Sequence, residues 1–170
     1  MVCLSSDLTK ANPANFELTF PLIPGQSLLG ASEELVLNIT STILPSITIP
    51  PLESQWQNTK RWIAGGPTEF EQMNIQFVVD GHFANWKLLY NWMMYISNNK
   101  DKMLTNYHDY VVDASLRIIN NFGGDIMGIK YIGMWPTNLQ EVSFSMKEGE
   151  VLIEGGATFV YDYFEVLQYI

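Results

Sequence analysis

The chain has 170 residues, 9 Lys+Arg against 18 Asp+Glu, and a formal net charge of −9. That length suits one domain with a real core, and that charge argues against gripping a nucleic-acid backbone, which needs a basic stripe. Charged residues make up 16% of the sequence, against roughly 25% in ordinary soluble domains, while apolar residues reach 47% and aromatics 13%. A monomer of this composition would leave large apolar patches wet, and such patches mark interfaces, so self-assembly is the first expectation.

Cys3 is the only cysteine, which excludes an intrachain disulfide and a thiolate zinc cluster. Residues 1–11 lack the apolar core of a signal peptide, and no run approaches the length of a membrane span. A reducing cytoplasm is the expected place of synthesis. Asn38-Ile39-Thr40 matches a glycosylation sequon, read as chance without a secretory signal.

In chain order, Phe16–Phe20 alternates as a first strand, closed by Pro21 and Pro24-Gly25. Residues 34–42 alternate again, with Leu35, Leu37, Ile39 and Ile43 on one face and Glu34, Asn38, Thr40 and Thr42 on the other. Leu44-Pro45 and Pro50-Pro51 frame a stiff connector. Residues 54–63, with Trp56 and Trp62 interleaved among polar residues, read as a long strand or an excursion from the sheet, and Ala64-Gly65-Gly66-Pro67 as a turn. Residues 69–80 form the clearest strand: Met73, Ile75, Phe77 and Val79 inward, Gln72, Asn74 and Gln76 outward.

The period then changes to helical over residues 83–97, with Trp86, Leu89, Tyr90, Met93 and Ile96 on a core face and Leu88, Trp92 and Tyr95 on a second apolar face that needs another surface. Residues 98–109 read as a polar loop, and 113–120 as a strand with Ala114, Leu116 and Ile118 inward. Gly123-Gly124 turns the chain into an apolar strand that runs to Trp135, where Pro136 stops it and holds Trp135 extended as a packing anchor. Two closing strands follow, at 141–146 and 157–166, with Gly149 and Gly155-Gly156 as turns. The sum is a mainly β, single-domain chain: a two-sheet sandwich or partly open barrel with one flanking helix.

Catalytic signals are weak. His82 and His108 have no metal-ligand spacing and read as surface or cap residues. Asp101, Asp109, Asp113 and Asp125 lack the pattern of a calcium loop, and the Gly-Gly pairs match no phosphate-binding fingerprint. There is no Gly-x-Ser-x-Gly elbow. No catalytic residue, metal or cofactor is expected. Phe159, Tyr161 and Tyr163 suit a sheet face beneath the helix better than a sugar or base platform.

Several segments recur together in a familiar order: Ile43-Leu44-Pro45, Asn58-Thr59-Lys60, Gly65-Gly66, a strand from Phe70 to Val79-Asp80, Asn91-Trp92, Asp113-Ala114, Gly133-Met134-Trp135-Pro136-Thr137-Asn138 and Phe159-Val160-Tyr161-Asp162-Tyr163. In this order, across roughly residues 14–166, the chain resembles the tail tube proteins of contractile-tailed bacteriophages. The resemblance implies a non-enzymatic virion protein whose hexameric rings stack into a tube inside a contractile sheath, made in the host cytoplasm and placed in the tail. Its partners would be other copies, the sheath, baseplate and tail terminator proteins, with phage DNA passing during genome ejection without specific binding. Glu34, Asn38, Thr40 and Thr42 then become bore candidates, with Asp113, Ser115 and Arg117 as a second set. Leu88, Trp92, Tyr95, Trp56 and Trp62 become subunit or sheath contacts, and Trp135 and Pro136 the fold anchor. Residues 1–13 would form an arm ordered on assembly. A baseplate-proximal initiator, another terminal ring, or the tube of a secretion or bacteriocin-like device would share these features. A monomeric β-sandwich carbohydrate-binding module is the alternative from another class, and an acidic-residue hydrolase a third.

Overall fold

The computed structural model describes residues 16–20, 35–36, 39–100, 106–119, 124–144 and 152–168. The first-arm prediction for residues 1–13, and the bore candidates Glu34 and Asn38, lie outside the described residues.

Twelve strands and one helix are described, in the order β1 (Phe16–Phe20), β2 (Leu35–Val36), β3 (Ile39–Thr42), β4 (Ile47–Thr48), β5 (Pro51–Trp56), β6 (Thr59–Ala64), β7 (Glu69–Phe70), β8 (Met73–Val78), α1 (Ala84–Lys100), β9 (Val112–Ile119), β10 (Asp125–Leu139), β11 (Glu154–Val160) and β12 (Tyr163–Gln168). All pairings are antiparallel. The main path runs β2-β1-β9-β10-β11-β8-β3, with β12 also on β10. Two small ladders, β4-β7 and β5-β6, stand apart from it.

β10 is the spine. Its first two-thirds lies between β9 and β12, and its last third pairs with β11, which leads on to β8 and β3. The pairs Ile132↔Tyr163 and Trp135↔Val160 keep one register, so β11 and β12 are two halves of a return strand interrupted at Tyr161-Asp162. One strand therefore belongs to both sheets.

The core lies between those sheets. Leu18, Phe20, Ala114, Leu116, Ile129 and Tyr131 come from one, and Met73, Ile75, Phe77, Ala157 and Phe159 from the other. The alternation that sequence assigned to β1, β8 and β9 is the alternation observed, because each strand has one dry face. Phe20 meets Phe159 at 5.6 Å between ring centroids, and Trp92 of the helix closes on both, at 6.4 and 6.1 Å. These three rings tie both sheets and α1 together.

The helix is turned part-way from its predicted orientation: Leu89 is buried and Trp86 and Ile96 pack on the core as expected, but Leu88 and Trp92 are buried too. Asn85, Leu88, Leu89 and Trp92 form the buried stripe, whereas Tyr90 and Met94 are exposed and Trp86, Met93 and Tyr95 half-buried. Leu88 and Trp92 are thus core residues of their own subunit, not contacts for a neighbour. A helix apolar nearly all round has no periodicity strong enough to select a face. Polar anchors select it here. Asn85 Oδ1 accepts from the backbone N–H of Asp80 (3.2 Å) and Trp86 (2.8 Å), and Nδ2 donates to the Val78 carbonyl (2.7 Å). Trp92 Nε1 donates to the Tyr110 carbonyl at 2.9 Å.

Three further expectations change. Pro136 does not stop its strand: β10 continues to Leu139, and Pro136 is buried opposite Phe159. The register shifts between Pro136 and Asn138, the irregularity at which a residue without an N–H is tolerated in a sheet. Residues 141–144 are not a strand, and the rest of that predicted element lies outside the described residues. Gly155 and Gly156 sit inside β11 rather than in a turn, and a Cβ on Gly155 would lie 3.0 Å from the Phe77 ring. Phe159 and Tyr161 are buried, so they form core and not a sugar platform; Tyr163 alone of the three is exposed.

Two expected outcomes follow from this packing. Trp92→Ala should cost about 3–5 kcal/mol in urea unfolding, since it empties the ring junction and orphans the Tyr110 carbonyl, while Tyr90→Ala should cost under about 1 kcal/mol. Burial pushes the Tyr161 phenol up to about 12, its hydroxyl donating to the Glu71 carbonyl at 2.8 Å. A raised phenol pKa favours the fold while neutral, so this contribution is constant below about pH 10 and falls as pH rises from there through about 12. Denaturation midpoints across that window should drop for the wild type and drop less for Tyr161→Phe.

Candidate assembly surfaces

The passage of β10 from one sheet to the other depends on a bulge. Between the pairs Tyr131↔Ala114 and Met134↔Val112 the spine carries one extra residue, and Gly133 there has φ +69°. Only glycine takes that conformation without strain. A Cβ at Gly133 would also lie 2.6 Å from both Asp162 Oδ2 and the Tyr107 hydroxyl. The N–H of Gly133 donates to Asp113 Oδ1 at 3.3 Å, and its carbonyl accepts from the Tyr107 hydroxyl at 3.4 Å. Desolvation and then a hydrogen bond to Asp162 raise the Tyr107 phenol well above its ordinary range. Trp135 packs edge-on against Tyr110, at 6.1 Å and 90°. The predicted anchor at Trp135-Pro136 is therefore a corner, held by Gly133, Tyr107, Asp113 and Asp162. A glycine interrupting an apolar strand pattern was the signal for a bulge there.

The polar surface of the sheet runs across β1, β9, β10 and β12. Cross-strand pairs align Glu17 with Arg117, Thr19 with Ser115, and Ser115 with Lys130, which in turn aligns with Glu165. Arg117 binds Glu17 at 3.3 Å and both oxygens of Asp125 at 2.8 and 3.0 Å. Lys130 binds Asp113 at 3.1 Å, and that carboxylate raises its pKa. Asp113, Ser115 and Arg117 do share a wetted face, as parity predicted. Of the other predicted face only Thr40 and Thr42 are described, and they do not share a side. β3 has a register shift between Ile39 and Ser41, so Ile39 and Thr42 both stand opposite inward residues, Phe77 and Ile75. Thr42 is half-buried with its hydroxyl enclosed, and only Thr40 of the described pair is exposed. A bulge resets parity, and nothing in the residue types announces this one.

The excursion is a β-hairpin. Gln57 and Asn58, at φ 40° and 63°, make the two-residue turn between β5 and β6, the geometry that matches strand twist. Among the described residues each strand pairs only with the other. Leu52 and Ile63 are exposed, and Trp62 is 64% exposed. Alternation puts Leu52, Ile63 and Arg61 on one face and Trp62 with the Lys60–Glu53 ion pair (2.7 Å) on the other. The side chain of Trp56 lies outside the described residues. The connector before the hairpin exposes Ile43, Leu44, Ile47 and Ile49 as well.

A second apolar surface lies on α1. Trp86 stacks on Tyr90 at 5.4 Å and 9°, Phe83 meets Phe144 at 6.0 Å, and residues 139–144 form the opposite wall of a cavity of about 530 Å³. Gln140 and Glu141 supply its polar lining. Among the described residues no group of His, Cys, Asp and Glu could hold a metal ion, and no helix is long and apolar enough to cross a membrane. His82 and His108 are exposed.

Against this geometry stand the known proteins. No family model matches the chain. It is 26% identical to the tail tube terminator protein of Enterobacteria phage T4 over 168 residues, which is 96% of this chain and 92% of that protein. Among solved structures it is similar to a chain of the anti-feeding prophage baseplate, with TM-score 0.65, 10% identity and coverage of 94% and 97%. It is also similar to a chain of the PVC extracellular contractile injection system sheath–tube complex, with TM-score 0.62, 14% identity and coverage of 95% and 93%. A chain of the PVC sheath/tube terminator gives TM-score 0.65, 14% identity and coverage of 93% and 96%. The chain has the tail-tube fold.

Gly133→Ala should destabilise the domain by about 2 kcal/mol or more, from the left-handed backbone and the crowding by Tyr107 and Asp162. Chemical unfolding reads the loss, and Gly81→Ala, which meets nothing within 4 Å, is the control expected to stay within about 0.5 kcal/mol.

Proposed function

We propose that this protein is a tube terminator: a ring that ends the tube of a contractile phage tail, rather than the repeating subunit of that tube. The observation that carries this reading is the end-to-end sequence relationship with a tail tube terminator, at 26% identity. Structural likeness cannot choose, because chains from a baseplate, a tube and a terminator resemble this one equally, at TM-scores of 0.65, 0.62 and 0.65. The expectation of a major tube subunit is accordingly revised to a terminal ring.

Physical features support a ring of identical copies. Among the described residues β12 pairs with β10 alone and β3 with β8 alone, so both stand at sheet edges. Edges of this kind are removed when neighbouring copies join their sheets into a closed barrel. The polar face of β1, β9, β10 and β12 is the better bore candidate. It sets Glu17, Asp113 and Glu165 against Arg117 and Lys130, mostly as mutual ion pairs. Such a lining offers DNA phosphates few free cations, so a genome would pass without sticking. Hexameric rings, sheath contact and genome passage belong to this proposal.

Negative-stain microscopy of the purified chain tests it. Discrete hexameric rings that cap preformed tubes, without stacking further, are expected. Long stacks would return the reading to the repeating subunit, and a persistent monomer would reject both. Thr19→Lys with Ser115→Lys should preserve rings yet slow genome delivery in an infection assay, because free cations would then line the bore. Unchanged delivery would remove this face from the bore.

A further inference from the structure

We propose that the groove on α1 receives the Leu52–Arg61–Ile63 face of the β5-β6 hairpin from a second copy of the chain. This rests on the self-assembly reading above and names the two surfaces that meet. The groove has about 530 Å³ of space, walled by Phe83, Trp86, Tyr90, Met94, Val142 and Phe144, and Glu141 lines it. Glu141 is exposed and has no ion partner among the described residues. An occupant should therefore be aliphatic or aromatic, elongated and basic.

The chain itself carries such an element. On one face of the hairpin Leu52 pairs across the strands with Ile63, and Ser54 with Arg61. Leu52 and Ile63 are 58% and 48% exposed, and Arg61 has no ion partner among the described residues. Arg61 and Lys60 place two of the nine cationic residues on this one projecting element of an otherwise acidic chain. Lys60 is already neutralised by Glu53 on the opposite face, so Arg61 is the cation left to answer Glu141. Hairpin and groove are different patches of one surface. A contact between them is heterologous, and it closes into a ring when the rotation between copies allows. Leucine and isoleucine would fill the aromatic walls while the Arg61–Glu141 pair fixes register, the usual division of labour between apolar core and charged rim.

Sedimentation velocity on the full chain reads the contact. Arg61→Glu alone and Glu141→Arg alone should each weaken association about tenfold, because each replaces an attraction by a repulsion at a solvent-exposed rim. The double swap should restore association to within about threefold of the wild type, since it restores opposite charges in reverse order. Both residues are exposed, so unchanged thermal melts are expected to show that the variants fold. In a Cys3→Ser background, Ile63→Cys with Tyr90→Cys should give a disulfide-linked ladder under mild oxidation. Single swaps without effect, a double swap that fails to recover, or an absent ladder would overturn the hairpin-in-groove contact while leaving ring assembly standing. A wild-type chain that remains monomeric would overturn both readings.

Discussion

Everything in this domain depends on one strand being hydrogen-bonded in two sheets. Asp125–Leu139 runs between β9 and β12, then passes to β11, so each sheet is anchored on the same backbone. A strand can make that passage only by changing its twist, and the extra residue around Gly133 supplies the change. The corner then determines what lies near it. Asp113 is aimed at the freed N–H of Gly133, Tyr107 at its carbonyl, and Trp135 at Tyr110. The core forms where the two sheets face each other, and Phe20, Phe159 and Trp92 close it.

This arrangement divides the molecule into a dense body and a projecting remainder. The body buries most of its apolar residues, while Ile126 of β10 and Tyr163, Val166 and Leu167 of β12 stay exposed. The β5-β6 hairpin, residues 43–49 before it and the outer side of α1 add further exposed apolar side chains. For a chain with few charges and many aromatics, the apolar surplus is thus spread over the connector, the hairpin, the helix and β12. The polar sheet face shows the opposite treatment, with its charges held in ion pairs that leave little free field.

Position in a tail and fold are separate properties here. The same architecture is found in chains of a baseplate, a sheath–tube complex and a sheath/tube terminator at 10–14% identity, which means that the fold tolerates wide sequence change.

The sequence by itself determined the mainly β class, the inward residues of β1, β8 and β9, the presence of one helix, the excursion at 54–63 and the importance of the Trp135-Pro136 corner. These are local matters: a period of two or 3.6 and the chemistry of glycine and proline act over a few residues. The tertiary structure decided which side of the helix faces inward, because Leu88 and Trp92 are as apolar as Tyr90 and Met93 and only Asn85 and the Tyr110 carbonyl break the tie. It decided the fate of Thr42 through a bulge that depends on pairing with β8. It also turned residues 141–144 from an expected strand into the wall of the groove, since a strand needs a partner edge and β11 pairs instead with β10 and β8. Alternation tells which residues share a side; only the neighbours across the sheet decide which side is dry.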